Sequence, residues 1–149
     1  MNDVIREMAL LMRSEAERNC VSIRMGLAPD LPKAPADRVQ LQQVLVNLMS
    51  NGIEAMKGMS GPGELMLRSQ ETGDGCLLVS VSDTGVGLTR EVHQMFQAFY
   101  TTKPEGTGMG LAISRSIIES HGGRLWATGN PERGATFRFT LPLAGEASE

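Results

Sequence analysis

Two glycine clusters restrict what this chain can fold into more than any other feature. Asp83-Thr84-Gly85-Val86-Gly87 closes a strand-like run, and Gly106-Thr107-Gly108-Met109-Gly110 opens a helix-like one. The run before the first cluster, Cys76 to Ser82, is apolar and β-branched-rich, and it ends on a carboxylate beside backbone that can turn tightly. Alone, that is an ordinary Asp-Thr-Gly turn. The second cluster runs straight into Leu111 to His121, so backbone N–H groups converge with the positive end of a helix dipole where a phosphate can come close. Its Gly-x-Gly-x-Gly spacing is not the dinucleotide fingerprint, and the chain contains no P-loop.

The clearest amphipathic segment is Asp37 to Lys57, where Leu41, Val44, Leu45, Leu48 and Met56 recur at three- and four-residue steps. Asp37 is a candidate N-cap with Gln40 three residues on, and the Gly58 to Gly63 stretch ends the run. A second stripe, Gln40, Gln43, Asn47, Asn51 and Glu54, follows the same spacing on another face. Such a stripe is ordinarily a solvated face. Asn, however, is a mediocre helix former, and Gly52 beside Asn51 costs about 1 kcal/mol against Ala, which points to a close approach there.

These segments resemble the ATP-binding catalytic domain of sensor histidine kinases, the Bergerat fold, over nearly the whole chain. Gln43 to Ala55 looks like the asparagine box, Asp83 to Leu88 the first glycine box, Met95 to Lys103 the phenylalanine box and Gly106 to Leu111 the second glycine box. Gly122 to Trp126 and Gly134 to Pro142 resemble the closing hairpin. Five matches in order make the resemblance specific. It implies that Asp83 accepts a hydrogen bond from the adenine amino group, which guanine lacks at that position. It implies that Asn51 gives an oxygen to Mg²⁺ and that Asn47 meets the phosphates or a metal-bound water. Thr136, Gly85 and Gly87 would line the adenine end; Ala55, Gly106, Thr107, Gly108, Met109, Gly110 and Leu111 complete the nucleotide site with Thr102 and Lys103.

The expected lid, Tyr100 to Glu105, is short for the family, and Lys103 is its only base. Family members often carry a base where this chain has Glu54, so cationic help to the γ-phosphate falls more heavily on Lys103; the resemblance implies Asn47 and Lys103 as the catalytic residues. Ala98 for Pro and Gly52 for Ala are smaller departures. Hydrolases of the same fold place a general-base Glu where Asn47 stands, and an amide takes no proton at neutral pH, so transfer rather than hydrolysis is expected. Neither His93 nor His121 is followed by the acidic residue and proline of an acceptor motif. His121 reads as a helix-end residue before Gly122 and His93 as a surface residue.

The expected partners are therefore an acceptor-histidine hairpin domain of a parent kinase, outside this chain, and a response regulator downstream. Two other readings stay open: a serine kinase of the anti-sigma-factor type and a nucleotide-sensing module without transfer. A helical run over residues 1–18, capped by Asn2 or Asp3, resembles the helix that follows the hairpin domain, which argues against the serine kinase. A net charge of −3 without a basic run argues against nucleic acid, and no apolar stretch nears the ~20 residues that span a bilayer. Cys20 and Cys76 have no metal spacing and suit a reducing cytoplasm, although the parent could be membrane-anchored.

The expected elements are helices at 3–18, 37–57, 90–95 and 108–121 and strands at 21–27, 64–71 and 76–83, with two more strands joined by Asn130 to Gly134. They predict one α/β (α+β) domain over residues 1–149: a two-layer sandwich with a mixed, mainly antiparallel sheet of about five strands and three main helices on one face.

Overall fold

The computed structural model describes residues 1–29, 31–32, 34–57, 61–85, 110–129 and 134–143. Its elements run α1 (Asn2–Leu11), α2 (Arg13–Arg18), β1 (Val21–Leu27), α3 (Arg38–Ala55), β2 (Gly63–Glu71), β3 (Cys76–Asp83), α4 (Gly110–Ser120), β4 (Arg124–Gly129) and β5 (Ala135–Pro142). The expected short helix at 90–95, the lid and His93 lie outside the described residues.

The five strands form one sheet in the order β1-β2-β3-β5-β4. β1 and β2 are parallel because α3 crosses between them, and every other pair is antiparallel. The sheet alternates cleanly. Leu77, Val79, Val81 and Asp83 of β3 are buried, with half-exposed residues between them. Phe137, Phe139 and Leu141 of β5 join this inner face and pack with Leu45, Leu48, Met49 and Ile53 of α3 and Ile118 of α4 in one core. Each such side chain contributes roughly 1.5–3 kcal/mol on burial.

α3 begins where its sequence signals place it. Asp37 caps the helix, its carboxylate accepting the Gln40 N–H at 3.0 Å. The reciprocal half of a capping box is replaced by a long-range bond, because the Asp37 N–H donates to His121 Nε2 at 3.1 Å. His121 Nδ1 in turn lies 2.7 Å from the Ile117 carbonyl, and the ring staples the end of α4 to the start of α3. Gly122, at φ +83, supplies the left-handed C-cap expected there.

The N-terminal helix departs from expectation in two ways. It is interrupted at Met12 (φ −87, ψ 0), although bonds from Met12 N–H to Met8 O and from Ala16 N–H to Met12 O carry the ladder across. Its N-cap is Met1, without a side-chain cap bond. Asn2 does other work. Its amide donates to Ala28 O at 2.7 Å and accepts from Ser69 Oγ at 2.7 Å, which ties α1 to the ends of β1 and β2.

Candidate functional site

β3 delivers Asp83 to the inner face at the end of the strand, where it is only 3% exposed. Its Oδ1 accepts the Gly85 N–H at 2.8 Å and the Ala135 N–H at 3.3 Å. Burial raises the carboxyl above its ordinary pKa, and these two N–H donors offset only part of that shift. Gly52 of α3 stands opposite. A Cβ there would come within 2.7 Å of Leu65 Cδ1 and 3.6 Å of Asp83 Cβ, so the close approach expected at Gly52 is that of the sheet itself.

The turn after Asp83 is set by a similar contact. A Cβ on Gly85 would lie 2.5 Å from the Ala55 carbonyl oxygen, which makes Ala55 the floor on which the first glycine cluster rests. Thr84 Oγ1 accepts the Glu64 N–H at 3.1 Å and fixes the start of β2 against the end of β3. Gly134 takes φ +94 with its Cβ direction against the Asp83 carbonyl, so only glycine lets β5 begin there.

The polar stripe of α3 divides along its length. Gln40 and Gln43 are exposed, whereas Asn47, Asn51 and Glu54 are half-buried. Asn47 Nδ2 donates to Gly110 O at 3.2 Å and to Ser114 Oγ at 3.1 Å, which brings the asparagine helix onto the first turn of α4. Asn51 lies about one turn further along α3. Glu54 pairs with Lys57 at 3.3 Å.

The structure brings Asn47, Asn51, Ala55, Asp83, Gly85, Gly110 and Leu111 to the helix side of the sheet. It does not bring Thr136 there. Thr136 pairs with Ser82, the two hydroxyls 2.9 Å apart, and lines a shallow groove on the outer face with Arg68, Ser80 and Arg138. The pleat is the reason: Asp83 and Ala135 point inward, so their neighbours Ser82 and Thr136 point out. The inward place expected for Thr136 belongs to Ala135, through its N–H. That signal was present in the alternation of Ala135, Phe137 and Phe139 with Thr136 and Arg138. Ser114 is a second contributor the motifs did not reveal. Gly87, Thr102, Lys103, Gly106, Thr107, Gly108 and Met109 lie outside the described residues.

Among the described residues no cluster of three or more His, Cys, Asp or Glu could hold a metal. An ion that draws most of its ligands from phosphate and water, with one neutral amide from the protein, fits this donor set; a resident all-protein cation site does not.

A buried strand-end acid beside a glycine and a two-asparagine helix docked on the helix after the second glycine cluster thus lie on one side of the sheet. The chain belongs to the histidine kinase-, DNA gyrase B- and HSP90-like ATPase family, whose pattern matches residues 36–145, and ATP is the ligand this membership implies. Its relatives are sensor histidine kinases. Sensor protein FixL of Bradyrhizobium diazoefficiens is 48% identical over 147 residues, covering 98% of this chain and 29% of FixL. The chain thus spans under a third of that relative. The nucleotide-free catalytic domain of histidine kinase ThkA superposes with a TM-score of 0.85 at 34% identity, covering 96% of this chain and 92% of that domain. A longer ThkA structure, in complex with the response regulator protein TrrA, superposes with a TM-score of 0.80 at 31% identity, covering 97% of this chain and 40% of that one.

Proposed function

We propose that this chain binds Mg-ATP and transfers the γ-phosphate to a histidine on a helical-hairpin acceptor domain of a longer sensor kinase. The observation that carries this reading is Asp83: a buried carboxylate held by the Gly85 and Ala135 N–H groups, which is an acceptor for the adenine amino group. Guanine would set a carbonyl against that carboxylate, and a buried acceptor left unpaired discriminates strongly. Asn51 would give the protein's oxygen to Mg²⁺, and when bound the ion neutralises charge developing on the phosphates. Thr102, Lys103 and residues 106–111 belong to the same reading, in which Lys103 would supply positive charge to the transferred group.

Hydrolysis needs a base to activate water, and Asn47 has none to give: both its N–H bonds go to α4, and an amide oxygen is too weak a base. The phosphate therefore waits for a nucleophile from another domain. The ThkA–TrrA complex supports a response regulator as the next partner in the parent protein. Among the described residues no helix is long and apolar enough to cross a membrane. The reading takes residues 1–149 as one domain acting in the cytoplasm, where its response regulator would be met.

The test is reconstitution: radiolabelled ATP, this chain and a separately purified histidine-bearing hairpin domain. Acid-labile label on the hairpin is expected, and Lys103→Ala should slow its appearance on the order of a hundredfold, as removing one group aimed at developing charge does elsewhere. Label that never reaches the hairpin while ATP turns over to ADP at a comparable rate without it would identify a hydrolase instead.

A further inference from the structure

Asn47 reaches from α3 to the first turn of α4, and the chemistry of its two partners decides which way its amide faces. Gly110 contributes a carbonyl oxygen, 3.2 Å from Nδ2, and a carbonyl only accepts. The nitrogen therefore faces α4 and the oxygen faces away. Reversing the amide would bring two oxygens together at Gly110. Ser114 Oγ, 3.1 Å from the same nitrogen, takes the second proton. An amide has two N–H donors, and with both engaged, Oδ1 is the only polar atom Asn47 can offer to a ligand.

Ser114 itself is completely buried, on the side of α4 that also buries Ile117 and Ile118. An alanine there would suit the apolar surroundings. A hydroxyl at this position is explained by the bond it makes to Asn47. Asn47 lies one turn before Asn51 on the same face of α3, so the atom Asn47 presents determines whether the pair offers two oxygens or an oxygen and an NH₂. Two oxygens suit a hydrated divalent cation on a triphosphate, and an NH₂ in that place would repel it.

We propose that Ser114 is a positioning residue for metal–nucleotide binding: with the Gly110 carbonyl it holds the Asn47 amide so that its oxygen faces the metal-bound triphosphate. This rests on the proposed Mg-ATP reading. Ser114 touches neither metal nor nucleotide, and it acts through Asn47.

The experiment is calorimetric titration of ATP against wild type, Ser114→Ala and Ser114→Thr, each in Mg²⁺ and again in EDTA. Losing one neutral hydrogen bond should weaken Mg-ATP binding by Ser114→Ala about fivefold. In EDTA the difference should shrink to less than about twofold, and Ser114→Thr, which keeps the hydroxyl, should bind Mg-ATP like wild type. Equal weakening with and without metal, or no weakening in either, overturns the inference. A wild type that binds no ATP overturns the proposed function first, so the two failures are distinguishable. As a readout without nucleotide, the Asn47 side-chain NH₂ resonances of the apoprotein should exchange slowly with water in wild type and faster in Ser114→Ala; equal exchange in both also overturns it.

Discussion

The two ends of the pocket hold their polar groups by different means. At the Asp83 end the positioning is done by backbone: two N–H donors on one carboxylate, the Ala55 carbonyl under Gly85, and Gly134 against the Asp83 carbonyl. At the Asn47 end it hangs on a single side-chain amide, which bridges from α3 to the Gly110 carbonyl and the Ser114 hydroxyl of α4. Backbone contacts belong to the sheet and change only if the fold does. Side-chain contacts can be re-formed when a ligand binds. On the proposed reading, the end that would recognise the base is built in advance, and the end that would hold the phosphates is where binding and chemistry can alter the structure.

Asp83→Asn tests this contrast hardest. It should weaken ATP binding by about a hundredfold or more, since the adenine amino group would meet an NH₂ or lose a charged acceptor. The same change should not weaken the fold. Burial raises the Asp83 pKa in the folded state, so its protonated form is favoured there. Relative to an unshifted carboxyl, its contribution to stability is full below the unfolded pKa and is lost as pH rises through the folded value, so at neutral pH ionising Asp83 costs stability that its protonated form would not. A melting temperature for Asp83→Asn equal to or above wild type at pH 7, measured by calorimetry, is the expected result. A lower one would mean that the two N–H bonds outweigh the desolvation.

Gly134→Ala should break the backbone-built end directly. At φ +94, with its Cβ driven into the Asp83 carbonyl, a loss of about 2–4 kcal/mol is expected in denaturant titration, with ATP binding reduced in the fraction that folds. Gly52→Ala is more balanced. It gains about 1 kcal/mol of helix propensity, while Leu65 Cδ1, a side-chain end, must move aside from 2.7 Å. The net change should stay within about 1 kcal/mol in thermal melts. Thr136→Val should have the smallest effect on binding. It loses the bond to Ser82 and about 1 kcal/mol of stability, yet ATP affinity should change less than about twofold because the side chain lies on the other face of the sheet. A large loss of affinity in Thr136→Val would contradict the placement of the two faces.

The parts of this arrangement legible in the sequence are those encoded by local periodicity. The period of apolar residues and Asp37 gave α3 to within a residue or two, and β1 and β3 fall at the ranges expected for them, β3 from its β-branched composition. Asp83 was legible because it ends an alternating strand before Gly-x-Gly. The break at Met12 was not, since no Pro or Gly marks it. Nor was the use of Asn2, whose partners Ala28 and Ser69 are distant in sequence. Ser114 was hidden for the same reason: a serine within an apolar helix has no local meaning until α3 is packed against it. Thr136, expected at the adenine end by resemblance, lies on the other face because β5 alternates and Ala135 takes the inward place.

The most direct test of the central claim, that a buried carboxylate at the end of β3 selects adenine, is parallel calorimetric titration of ATP and GTP with Mg²⁺ against wild type and Asp83→Asn. ATP binding that exceeds GTP binding by about a hundredfold, with that preference lost in Asp83→Asn, is the predicted result. ATP and GTP binding equally to wild type, or an Asp83→Asn variant that keeps the preference, would contradict it.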